Sequence, residues 1–138
     1  MTVMIDLNVL LDVIQKREPH FGPSATVVSK VLNGELSALL PNHALTTIYY
    51  IVAKFADRRR AEEAIDWLLA HFEISVADKS SFVRARSLQM SDFEDAVVTS
   101  LAETSGCDYI ITRNTSDFEN SPVPAVTPEE FLGSLENN

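Results

Sequence analysis

Cysteine is almost missing from this chain: Cys107 is the only one in 138 residues. No internal disulfide can form, which agrees with a reducing compartment, and no cysteine cluster is available to take zinc. His20, His43 and His71 are scattered and do not supply the missing ligands. Glycine is scarce too, and none of the four stands in a GxxxxGK[ST] or GxGxxG pattern, so neither glycine-rich phosphate cradle is present. No apolar run approaches the roughly 20 residues of a membrane span, and the opening MTVMIDLNVLLDVI has no basic leader or cleavage site. The expected location is therefore the cytoplasm, with no membrane association. Basic residues are the last deficit. The 11 Lys and Arg against 20 Asp and Glu give a formal charge of -9, which argues against broad adhesion to nucleic acid through phosphate contacts. What remains is local clustering, at Lys54, Arg58, Arg59 and Arg60 and again at Lys79, Arg84 and Arg86.

The residues that are plentiful describe one globular domain over 1–138, with no repeat, linker or biased tract. TVMID (2–6) reads as a buried strand, and LNVLLDVIQKR after it has helical spacing. A second helix over about 22–33 ends at Asn33 and Gly34, LSALL is a second strand, and Asn42 is expected to cap the helix HALTTIYYIVAKFA. A helix over about 59–71 leads to the strand FEISVA, and Asp78 caps the next helix. Ser91 and Glu94 have capping-box spacing before DAVVTSLAETSG, which Gly106 stops. CDYIIT is a fourth strand, PAV a short fifth, and TPEEFLGSL a closing helix with Thr127 as cap and Pro128 at its first position. Strands without alternation, separated by helices, predict an α/β fold: a three-layer α/β/α sandwich around a mostly parallel sheet of four or five strands. Such sheets place ligands beyond the carboxyl ends of their strands, where the strand order reverses.

Acids collect at those ends. Asp6 closes the first strand, with Asn8 beside it; Asp92 and Asp95 start a helix three residues apart; Asp117 follows the fourth strand in ITRNTSDF, among Thr112, Arg113, Asn114 and Ser116. Each acid alone reads as a helix cap or turn residue, and Asp12 as an exposed helix acid. Gathered at one crevice, such carboxylates repel one another unless a cation compensates, and oxygen ligands suit magnesium or manganese. Such ions activate water and neutralise charge on a scissile phosphate. Asp6 as a phosphoryl acceptor is an alternative. The hydroxyls of Thr46, Thr47, Thr112 and Ser116 have no base fixed beside them by spacing. Tyr49 and Tyr50 read as core or interface aromatics.

These segments resemble the PIN domain family. MIDLNVLLDVIQKREP is similar to the family's opening strand and aspartate, SDFEDAVVTSLAETSGCDYIITRNTSDF to its helix, strand and Thr-Arg-Asn turn before a last acid, and VPAVTPEEFL to its ending. The resemblance implies a magnesium or manganese site used for RNA phosphodiester cleavage, with Asp6, Asp95 and Asp117 as catalytic and metal-holding acids. Asp92 would join them directly or through water, and Asn8, Thr112, Asn114 and Ser116 would support them. Arg113 is expected either on phosphate or paired with an acid at the rim. Many members are toxins of bacterial toxin and antitoxin pairs, often homodimeric, whose acidic groove a small antitoxin blocks, so single-stranded RNA, a second copy and an antitoxin are the expected partners. The chain departs from the family pattern at the glutamate usual in the helix after the second strand. Here LTTIYYIVAK puts Tyr49 or Tyr50 near that position, there is no glutamate between Glu35 and Glu62, and Leu7 stands where a hydroxyl residue is common. A catalytically weakened RNA-binding or protein-interaction domain is the alternative this leaves open.

Overall fold

A computed structural model describes residues 1–136. Five parallel strands form one sheet: β1 (Thr2–Ile5), β2 (Ser37–Pro41), β3 (Glu73–Ser75), β4 (Tyr109–Ile111) and β5 (Ala125–Val126), in the order β3-β2-β1-β4-β5. The α-helices are α1 (Leu7–Ile14), α2 (Phe21–Leu32), α3 (Asn42–Phe55), α4 (Arg58–His71), α5 (Lys79–Ser87), α6 (Phe93–Thr104) and α7 (Pro128–Glu136), and a 3₁₀ turn, η1, covers Thr115–Phe118. This is the expected three-layer α/β/α architecture, with the fifth strand present.

The layers follow from the pleat. Successive residues of β1 point to opposite faces, so Val3 and Ile5 enter a core with α1, α2, α3, α4 and α7, while Met4 enters a second core with α5, α6 and η1. All three side chains are fully buried, each worth about 1.5–3 kcal/mol of apolar transfer. The helices divide between the faces for a topological reason. The path β1-β2-β3 moves one way across the sheet and β4-β5 lies on the other side of β1, and right-handed crossovers in opposite directions use opposite faces. The strand order reverses between β1 and β4, which pair with Met4 opposite Ile110 and Ile5 opposite Ile111.

Helix ends match local chemistry, with some departures from expectation. Asp78 caps α5 in a capping box with Ser81, and Thr127 and Glu130 exchange side-chain bonds to each other's backbone N–H at the start of α7. Beyond α6, Gly106 (φ 69°) sits in the left-handed region, the Gly106 N–H donates to Glu103 O and the Cys107 N–H to Ala102 O, the double closure of a helix stopped by glycine. The first helix ends at Ile14 rather than near residue 17, because Lys16 takes a positive φ of 52° and the chain turns. Asn42 is not a cap: Pro41 holds that position in extended conformation, and Asn42 Oδ1 instead accepts from the Ala77 N–H at 3.2 Å. The box expected from Ser91 and Glu94 does not form either. Asp92 caps α6, its Oδ1 accepting from the Asp95 N–H at 2.9 Å.

Candidate active site

The crevice between β1 and β4 is organised by Asp6. Its backbone N–H donates to Ile111 O at 2.9 Å, prolonging the β1–β4 pairing one residue past the strand. The side chain then has two tasks. Oδ1 accepts from the Leu7 N–H at 2.9 Å and caps α1, where the free amides favour an anion, while Oδ2 accepts from Thr112 Oγ1 at 2.9 Å. The cap reading and the site reading of Asp6 therefore describe the same residue. Asn8 lies across the same point, with Nδ2 3.4 Å from Asp6 Oδ2 and 3.5 Å from Thr112 Oγ1, and its Oδ1 accepts from the Arg113 N–H at 3.4 Å. These are long bonds, so Thr112 is the main orienting group. Burial raises the Asp6 pKa most, the bonds from Thr112 and Leu7 oppose it, Glu94 adds to the rise and His43 acts against it.

Asp95 enters from the first turn of α6. Burial, then the charges of Asp92, Asp6, Asp117 and Glu94, push its pKa up from 3.8 to about 7. The charges of four acids thus act on one carboxyl group. Asp117 reaches the crevice from η1, where it is exposed, while Phe118 beside it is buried in the second core and pins the turn. Asn114 and Ser116 are exposed on the same turn; the Asn114 N–H donates to Thr112 Oγ1 at 3.1 Å.

One predicted role is corrected. Asp12, expected at the surface, is completely buried, accepts from Ser24 Oγ at 3.2 Å and faces Arg113 Nε at 2.9 Å. Arg113 thus pairs with an acid, one of its two expected roles. The basic clusters are largely committed as well. Arg58 pairs with Glu62, Arg59 with Glu63, Arg60 with Asp57 and Arg84 with Glu103.

Two residues were missed by sequence reasoning. His43 Nε2 lies 3.4 Å from Glu94 Oε1, and both influence Asp6. Their signal was positional: His43 comes two residues after β2, and Glu94 between Asp92 and Asp95, both at the same carboxyl edge of the sheet. In α3 it is His43, not a tyrosine, that acts on the acids. Tyr49 packs against the first core and interacts with Arg58, and Tyr50 is 64% exposed with Lys54 Nζ 5.9 Å from its ring centroid. Cys107 is also outside the site, buried, with its thiol pushed up to about 11 by burial and Asp108.

An oxygen-only set of mutually repelling carboxylates matches the donor chemistry of magnesium and manganese. The set is not drawn together into a closed cage: among the described residues, no group of three or more His, Cys, Asp and Glu side chains lies in an arrangement able to hold a metal ion.

A parallel α/β/α sandwich with an acidic crevice at its switch point is the class that fold and site together define. Within it, residues 2–116 match the family model of the PIN domain, and the chain belongs to that family. It is similar to Ribonuclease VapC1 of Aquifex aeolicus (strain VF5), with 27% identity over 134 residues, 94% of this chain and 92% of that protein. Its fold is that of a chain in VapBC-1 from nontypeable Haemophilus influenzae, with TM-score 0.71, 14% identity and coverage of 94% of this chain and 99% of that one. A chain of a toxin-antitoxin complex from Klebsiella pneumoniae gives TM-score 0.69 and 21% identity, covering 91% of this chain and 97% of that one. No helix among the described residues is long and apolar enough to cross a membrane.

Proposed function

We propose that this protein is a divalent-metal-dependent endoribonuclease that cleaves RNA phosphodiester bonds and serves as the toxin of a toxin and antitoxin pair. The observation that carries the reading is the raised Asp95 carboxyl, on which Asp92, Asp6, Asp117 and Glu94 act together. Membership of the PIN domain family and the names of the similar proteins, a ribonuclease and a toxin-antitoxin complex, support it.

Asp6, Asp95 and Asp117 would hold magnesium, or manganese, with Asp92 engaged directly or through water. When bound, the ion supplies water activation and neutralises charge on the scissile phosphate. The chain's own residues do the rest. Thr112 and Asn8 aim the Asp6 carboxylate, and the Leu7 N–H fixes its second oxygen. Asn114 and Ser116 are exposed on the turn; Asn114 would support the acids and Ser116 would contact phosphate oxygens. His43 lies beside Glu94 at the edge of the crevice. Cleavage would leave 5′-phosphate and 3′-hydroxyl ends. The partners of this reading are single-stranded RNA, a second copy of the chain, and a small antitoxin that covers the acidic groove in the cytoplasm.

The test is cleavage of a panel of single-stranded RNAs by purified protein in magnesium or manganese, with Asp6→Asn in parallel. Metal-dependent cleavage lost in the variant is expected; unchanged turnover in Asp6→Asn would sink the assignment. A second reading, a domain that binds RNA or protein with weakened catalysis, is favoured by the absence, among the described residues, of a closed three-ligand group and by the lack of an acid in the body of α3. It predicts no cleavage even at high protein concentration in either metal.

A further inference from the structure

We infer that the buried Asp12–Arg113 ion pair is a positioning device that sets where the segment from Thr112 to Asp117 lies against Asp6. Asp12 is fully buried on α1, six residues past Asp6; its Oδ2 accepts from Ser24 Oγ of α2 at 3.2 Å and faces Arg113 Nε at 2.9 Å. Asp12 Oδ1 has no hydrogen-bond partner, and Arg113 Nε is at ion-pair distance without hydrogen-bond alignment. With Asp12 fully buried, Arg113 26% exposed and polar atoms left unsatisfied, the pair is a poor way to stabilise a core, since apolar side chains of similar volume do as well or better. What this pair does instead is connect three elements: α1 through Asp12, α2 through Ser24, and the turn after β4 through Arg113.

That turn has few other tethers. Ile111 is fixed by the sheet and Phe118 by the second core. Thr112 is held by its N–H bond to Val126 O and its hydroxyl bond to Asp6 Oδ2, both 2.9 Å; beyond it lie the long bond from the Arg113 N–H to Asn8, the bond from the Asn114 N–H to Thr112 Oγ1, and the Asp117 N–H bond to Asn114 O at 3.0 Å. Arg113 is the charged anchor of the span. It stands next to Thr112, whose hydroxyl aims Asp6, and four residues before Asp117. Arg113 and Asp12 are therefore positioning residues. Their consequence for metal rests on the function proposed above, but the placement of the turn does not.

The experiment compares wild type with Asp12→Leu/Arg113→Met by amide hydrogen exchange and thermal unfolding. The double variant should melt within about 3 °C of wild type or above it, while amides 113–118 exchange about ten-fold faster or more and those of α4 are unchanged. Should it fail to fold, Asp12→Asn/Arg113→Gln, which removes both charges at similar volume, carries the same expectation. Arg113→Lys retains a charge at that point and should retain most of the protection. Wild-type exchange rates at 113–118 in a folded, charge-free double variant would overturn the inference, as would an equal loss in Arg113→Lys. Manganese titration followed by electron paramagnetic resonance should show weaker binding in the double variant. A wild type that binds no manganese refutes the metal reading and leaves the exchange comparison to decide the ion pair.

Discussion

Asp6 and Asp95 face the same crevice under opposite conditions. Asp6 is buried, which raises its pKa, but Thr112, Leu7 and Asn8 donate to its oxygens, so its orientation is set before any ligand arrives. Asp95 is half-buried and ringed by acids, and no described hydrogen bond reaches its carboxylate; every principal influence on it favours the proton. The difference separates an anchor from a conditional charge. A cation entering the crevice would find Asp6 already aimed, and would itself favour the ionised form of Asp95.

The largest break in this comparison is removal of the anchor. Asp6→Asn should lower kcat/KM on RNA by more than about 100-fold, beyond what loss of a supporting group costs a metal site. Asparagine is a good helix cap and can still accept from the Leu7 N–H, so the melting temperature should move little. Loss of fold with loss of activity would show Asp6 to be structural. Thr112→Val tests the support, and also removes the acceptor of the Asn114 N–H. Keeping the shape but losing the 2.9 Å bond to Asp6 Oδ2, it should weaken manganese binding and cleavage by about 10- to 100-fold. Full activity in this variant would mean that Asp6 is aimed by something else.

Asp95 makes a prediction of a different kind, read in buffer free of divalent ions. Its folded pKa of about 7 stands above the ordinary 3.8, so the folded chain keeps a proton that the unfolded chain releases between those values. Its contribution to stability is therefore full below about pH 4, falls as pH rises towards 7, and stays reduced above. Asp95→Asn is free of that loss. It should melt a few degrees above wild type at pH 8, with the gap closed near pH 4, a modest effect because the group is only half-buried. An equal gap at both pH values would show that ionisation of Asp95 is not the cause. Asp6, also raised, has the same sign but is present in both proteins and cancels.

The layer order, the parallel sheet and the switch-point location were legible in the sequence because apolar strands, caps and glycine stops are local signals. Asp78, Gly106 and Thr127 act where their neighbours along the chain say they should. Asp6 and Asp117 stood out because each follows a strand, and Asp92 because it opens a helix; their charges act on Asp95. Asp12 was not. Its place on α1 says nothing about Ser24 and Arg113, which arrive from 12 and 101 residues away, and only their arrival turns an expected surface acid into a buried one. Asn42 and Ser91 were misread for a related reason. Each has the right chemistry for a cap, but Pro41 and Asp92 stand nearer the point where the backbone enters the helix.

Helix α3 offers the smallest effects and the finest distinction. The family's usual acid would come from this helix, and the chain has two candidates there for influence on the crevice: His43 at its start and the tyrosines in its body. His43, 3.4 Å from Glu94, acts on Asp6, so His43→Ala should reduce cleavage by about 2- to 10-fold, the scale of one net polar interaction. Tyr50 points to solvent over Lys54, so Tyr50→Ala should leave kcat/KM within about two-fold, as for an ordinary surface change. A larger loss for Tyr50→Ala than for His43→Ala would reverse the assignment and move the functional face of α3 from its first turn to its middle. The expected ranking places a polar imidazole beside Glu94 near the acids, where a further carboxylate would add to their mutual repulsion.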